Sequence, residues 1–310
     1  MELKLLNNRP SYGGQAVIEG VMMKGEEVIA TAVRKSNDEI VVQKRVVKPW
    51  SKRFPILKKP FFRGALALVE AMVIGIQALN FSASQFAEEE DIELGTRDMI
   101  LMMAMALGLT VLLFIAVPAY AIRFVQARIQ SNFLLNLVEG LIKISIFLVY
   151  IVAISRLSEI RRVFEYHGAE HKTINAFEDG QELKVDAVRR YSPIHARCGT
   201  NFILIVLFVS VFLFSFFGRP PFLERVAIHI GILPLVAGVS YEIIKQASKK
   251  DAFFMIKWIA SPGLWLQRLT TREPDDSQIE VAIRALREVL PVTTAEVLPL
   301  VTTQTKGSSL

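Results

Sequence analysis

The chain has 310 residues, 52% of them hydrophobic, with a mean hydropathy of +0.38. That is more apolar surface than a water-soluble fold needs, so much of the length is expected in membrane spans rather than in two ordinary domains. The formal charge of +6 is modest and unevenly placed, and a single cysteine, Cys198, excludes an intrachain disulfide.

In chain order, residues 1–60 read as a cytosolic β region followed by a basic linker. No apolar core or small-residue cleavage site of a secretory signal opens the chain, so insertion is expected to rest on internal spans. Gln15–Met23, Val28–Lys35 and Ile40–Val47 are β-rich runs, and Lys24-Gly25 and Ser36-Asn37-Asp38 punctuate them as turns. Gly13-Gly14 would allow a turn with positive φ. Glu19-Gly20 inside a strand pattern suggests a bulge or a close backbone approach, with Glu19 either turned to the histidine loop described below or simply on the surface. Lys48–Arg63 is basic, carries three prolines and suits an anionic lipid surface.

Residues 61–98 hold an ambiguous helix and an acidic turn. Phe61–Phe86 is apolar enough to span, yet Arg63, Glu70, Gln77 and Ser84 recur every seven residues as one polar stripe. An interfacial or re-entrant helix explains that stripe, and a span with a polar seam is the rival. Four spans follow: Met99–Ile122 and Leu134–Ser155 within residues 99–155, then Phe202–Phe217 and Val226–Ile244 within 202–245.

Lys and Arg set the orientation. Residues 1–63 carry thirteen of them and the loop 156–201 carries eight, while Arg123 with Arg128 and Arg219 with Arg225 mark the sparser turns. The alternation puts both termini and the 156–201 loop in the cytosol, and it requires that Phe61–Phe86 not cross. The C-terminal region 246–310 is basic at its start, with an amphipathic helix expected over Gln278–Leu290 behind Asp275-Asp276-Ser277 and disorder from residue 291. The fold class is thus an α-helical membrane protein with about four spans, an interfacial helix, a small N-terminal β region and a cytosolic C-terminal helix.

The chemistry gathers in the 156–201 loop. Three of the four histidines and the only cysteine lie within residues 167–198. His167-Gly168-Ala169-Glu170-His171 has the inverted zincin pattern, which puts two imidazoles on one helical face and offers Glu170 as a general base. His195 and Cys198 add an imidazole and a thiolate, both suited to zinc or another divalent metal. Four ligands would close the site, whereas three would leave room for water. Glu178 and Glu242 are alternative ligands, and Arg197 is a candidate oxyanion stabiliser. The bland alternative is a solvated or hydrogen-bonded histidine pair. His229 reads as a satisfied intramembrane residue, and Glu139 with Lys143 as an i,i+4 ion pair. Seven acidic residues balance the eight cations of the loop, which speaks against nucleic acid and for lipid headgroups.

Three strings carry a family resemblance: Tyr12-Gly13-Gly14-Gln15-Ala16-Val17-Ile18-Glu19-Gly20-Val21-Met22-Met23, His167-Gly168-Ala169-Glu170-His171-Lys172, and His195-Ala196-Arg197-Cys198-Gly199-Thr200-Asn201. Leu264-Trp265-Leu266-Gln267-Arg268-Leu269-Thr270-Thr271 adds a fourth. Together they resemble the YqhQ family of uncharacterised bacterial membrane proteins, often described as predicted metal-dependent enzymes. The resemblance implies a metal and no established reaction. Two functions compete on these residues. One is a membrane accessory protein whose metal pins the loop while the β region and C-terminal helix dock a membrane partner such as a transport or translocation machine. The other is a cytosol-facing zinc-dependent hydrolase. A small transporter is the weaker third, since the spans are few and show no inverted repeat.

Overall fold

A computed structural model of the chain describes residues 12–47, 59–60, 62–89, 96–218, 221–247 and 254–291. Most of the basic linker and the segment expected to be disordered lie outside these residues. Four strands form an antiparallel sheet in sequence order: β1 (Gly13–Val17), β2 (Gly20–Lys24), β3 (Val28–Arg34) and β4 (Ile40–Val46). The single run expected over Gln15–Met23 is two strands, because the chain reverses at Ile18-Glu19 and Val17 pairs with Gly20. Glu19 takes φ 48 there, a left-handed conformation unusual outside glycine. Gly13 and Gly14, by contrast, are extended within β1 and form no turn.

Pleat alternation gives the sheet two buried faces. On one, Val21, Met23, Ala30 and Ala32 join a core with helices α4 (Ser158–Glu178) and α9 (Asp276–Val289), through Tyr166, Ala169, Ile279 and Leu286 among others. On the other, Val17, Met22, Ile29 and Val33 meet Ile74 and Ala78 of helix α1 (Phe62–Glu89). The sheet is therefore the middle of three layers. The expected C-terminal amphipathic helix is α9, and Asp275 starts it with a reciprocal capping box to Gln278, a device worth about 1 kcal/mol.

The remaining helices are α2 (Thr96–Val111), continued by a π turn and two further turns to Phe124, α3 (Asn132–Ile154), the short α5 (Val185–Val188), α6 (Gly199–Phe214), α7 (Phe222–Ala247) and α8 (Phe254–Thr270). Helix α8 has no counterpart in the sequence reading. Its pattern is interrupted by Pro262 and Gly263, which hid a 17-residue helix. Five helices among the described residues are long and apolar enough to cross a membrane: Phe62–Phe86, Ile100–Phe124, Asn132–Ile154, Gly199–Phe217 and Ile230–Ala247. The last four coincide with the four expected spans. The first is the ambiguous helix, and length and composition alone do not separate it from the others.

Small residues set two of the helix crossings. An added Cβ on Gly140 of α3 would lie 2.5 Å from Val211 Cγ2 of α6, and one on Gly64 of α1 would lie 2.9 Å from Gly238 Cα of α7. Glu139 and Lys143 form the expected i,i+4 pair at 3.0 Å, beside a cavity of about 180 Å³ between α3, α6 and α7. The side chain of His229 lies outside the described residues.

Candidate metal centre

The site forms where α4, the turn ahead of α6 and the end of α8 meet. His167 and His171, one turn apart on α4, face the same side with ring centroids 4.4 Å apart. Each is oriented through Nδ1, which donates to a backbone carbonyl: Thr270 for His167 at 2.8 Å, and Pro193 for His171 at 2.6 Å. A carbonyl only accepts, so Nδ1 carries the proton and Nε2 keeps its lone pair for a metal or a donor. Cys198 caps the N-terminus of α6, and its Sγ lies 3.2 Å from His167 Nε2. One donor atom each from His167, His171 and Cys198 falls within 4.8 Å of the others, a spacing from which three ligands could close on one ion.

His195 stands beside this group rather than in it. Its ring is 5.7 Å from that of His171, and its Nε2 is 3.6 Å from Glu178 Oε2. The backbone explains the offset. Gln267 of α8, fully buried, accepts from the His195 N–H and donates to the His195 carbonyl, both at 2.9 Å, and also donates to Asn201 Oδ1 at 2.8 Å. One amide thus fixes both ends of the turn that carries Cys198. Helix α4 holds the preceding segment from the other side: Asn175 donates to the Ser192 and Ile194 carbonyls, and Lys172 to that of Arg189.

Glu170, next to His171 on α4, packs against the sheet. It is buried against β1, where the Gly14 N–H bonds its carboxylate. A Cβ on Gly14 would lie 2.9 Å from Glu170 Cγ and Cδ and 2.6 Å from the Met22 carbonyl oxygen. The glycine is required by this close approach and not by a turn. Gly168 has a similar role, since a Cβ there would collide with the Arg272 carbonyl.

Burial dominates the electrostatics. It pushes the Glu170 carboxyl up to about 8, opposed by His167 and the Gly14 amide and reinforced by Cys198. It lowers His171 to about 2 and His195 to about 4, so both imidazoles stay neutral, the form in which histidine binds metals. The Cys198 thiol is raised by burial, against hydrogen bonds from Thr200 and Asn201.

The other candidates go elsewhere. Glu242 receives Arg63, with Nε at 2.6 Å from Oε1, and so joins α7 to α1 instead of lining the site. Glu178 pairs with Arg197 beside His195, which occupies the guanidinium expected to serve an oxyanion. Glu19 binds Arg162 and Tyr166 of α4, about one and a half to two and a half turns from His171. Missed from sequence were the residues that hold the site rather than form it: Gly14, Gln267 and Thr270. Their signal was present in the two strings that accompanied the histidine motifs without a role of their own.

The family model described as "Protein of unknown function (DUF1385)" matches residues 59–292, and the chain belongs to this family. It is 36% identical over 294 residues to "Uncharacterized protein YqhQ" of Bacillus subtilis (strain 168), covering 91% of this chain and 92% of that protein. The resemblance read from the four strings is therefore shown. No solved structure matches the chain.

Proposed function

We propose that this is an integral membrane protein that holds one divalent metal, zinc by its donor set, at His167, His171 and Cys198, and acts as a cytosol-facing hydrolase on a membrane-embedded or membrane-adjacent substrate. The observation that carries the reading is the three-donor cluster with Glu170 buried against β1 on the same turn of α4 and His195 held off by Gln267. Two imidazole nitrogens and a thiolate suit zinc, and three protein donors leave a fourth position open. A metal there would supply Lewis-acid activation of water. Burial moves the Glu170 carboxyl from the ordinary carboxylate range toward neutral pH, the range in which general acid–base groups work. Arg197 is the weaker part of the assignment, because Glu178 already neutralises it. The lysine and arginine alternation supports a cytosolic face for the sheet, α4 and α9, and the exposed apolar side chains of α2 support a lipid surround.

A second reading draws on the enclosure of the donors, with His171 1% and Cys198 6% exposed. Enclosed ligands suit a structural metal, and the chain would then be an accessory protein that docks a membrane partner through the three-layer domain. Cobalt(II) substitution separates the two. For the hydrolase, the Glu170→Gln protein keeps its metal, and azide shifts the visible cobalt spectrum by entering the open position. A spectrum unmoved by azide, with the thiolate band intact, would favour the structural metal.

A further inference from the structure

We infer that α1 does not cross the bilayer but lies in the plane of its cytosolic leaflet, with one face bedded in anionic lipid and the sheet carried on the other. The inference rests on the proposed membrane location of the chain and is independent of the metal.

The first argument is parity. The sheet, α4 and α9 pack into one domain, so all three are on one side of the membrane. Among the described residues between the sheet and α4, three helices are long and apolar enough to cross. Three crossings would separate the sheet from α4, so only two of these helices can cross.

The second argument identifies the one that does not. Ile74 is the midpoint of Phe62–Phe86 and would sit at mid-bilayer if that segment spanned. Yet Ile74 and Ala78 are the residues on which the sheet packs, with Gly75 tight against Gln15. A spanning α1 would drag the sheet into hydrocarbon together with Lys24, which pairs with Glu70 at 3.8 Å, and Arg45, which donates to Gln77 at 3.2 Å. The polar stripe of the sequence is thereby accounted for, since Arg63, Glu70 and Gln77 meet charged groups of the protein.

The third argument names what covers the opposite face. Val69, Met72, Val73, Ile76 and Leu79 are exposed there. Gly64 seats the first turn of α1 on Gly238 of α7, which ties this helix to a candidate span while the apolar face stays uncovered by protein. The sequence just ahead of it, Lys48 to Arg63, holds Lys48, Lys52, Arg53, Lys58, Lys59 and Arg63 and no acidic residue, which complements an anionic leaflet.

Spin labels at Val69→Cys and Ile76→Cys, one per chain, test this in full-length protein reconstituted into phosphatidylglycerol/phosphatidylcholine vesicles, with the unsubstituted chain as the control for buried Cys198. An in-plane helix puts both labels at the same shallow depth, each accessible to oxygen dissolved in lipid. Depths differing by about 10 Å, the rise over seven residues, would mean a crossing and overturn the proposal. Spin–spin broadening at Ile76 between chains would assign the face to a second copy, and water-like accessibility at both positions would leave it uncovered by lipid. Either result also overturns it.

Discussion

His167 Nε2 lies 3.2 Å from Cys198 Sγ, although 31 residues separate them along the chain. The contact depends on anchors remote from both. The Thr270 carbonyl turns the His167 ring, and the Gln267 amide fixes the turn leading into Cys198. Both anchors stand one turn apart on α8, so this helix aligns the two donors.

Gln267→Ala should therefore weaken the site without touching a donor. It leaves the His195 N–H and C=O and Asn201 Oδ1 without their buried partner, at a cost of about 2–3 kcal/mol. The expected outcome is a lowered thermal midpoint in detergent and faster metal loss to a chelator. Gln267→Glu should be at least as damaging at neutral pH, because its buried carboxylate would face two acceptors, the His195 carbonyl and Asn201 Oδ1.

Gly14 and Gly13 make a matched pair. A methyl on Gly14 meets Glu170 and the Met22 carbonyl, whereas one on Gly13 meets nothing within 4 Å. Gly14→Ala should destabilise the protein by about 1–3 kcal/mol through overpacking, and Gly13→Ala by no more than about 0.5 kcal/mol. Equal thermal shifts for the two variants would show that Glu170 does not pack on β1 as described.

Acid should destabilise the metal-stripped protein. His171 and His195 have folded pKa values of about 2 and about 4, both depressed below the ordinary 6.5. As pH falls below 6.5 the unfolded chain binds protons that the folded chain refuses. The stability is thus intact above pH 6.5 and is lost as pH drops toward 4, at about 1.4 kcal/mol per pH unit for each group. Glu170, raised to about 8, works the other way over the same range, so the net slope from pH 6.5 to pH 4.5 is about that of one histidine. Denaturation should show it, His195→Gln should nearly abolish it and Glu170→Gln should double it.

Much of this was legible in the sequence because it is periodic or local. Long apolar runs fix four of the candidate spans, the seven-residue stripe on Phe61–Phe86 marks a helix with a polar partner, and the four-residue spacing of His167 and His171 puts both rings on one face. What was not legible depends on contacts between distant segments. His195 and Cys198 are three residues apart and read as equal ligands, but the Gln267 clamp, 72 residues downstream of His195, turns only Cys198 toward the histidine pair. Glu242 reads as a ligand from its place near the end of a span, yet Arg63 claims it across 179 residues. Gly14 reads as a turn former because glycine has two uses, and only the fold shows that the need here is for space.

Metal content of purified full-length protein, measured beside His171→Ala, Cys198→Ala and His195→Ala, tests the central claim most directly. The account predicts one zinc or other divalent ion per wild-type chain, a loss in the His171 and Cys198 variants, and retention in His195→Ala, whose ring lies outside the three-donor group. It also predicts that the Cys198 thiol resists alkylation until a chelator is added. Wild-type protein purified without chelator that carries no metal, or a His195→Ala variant as empty as Cys198→Ala, would contradict it.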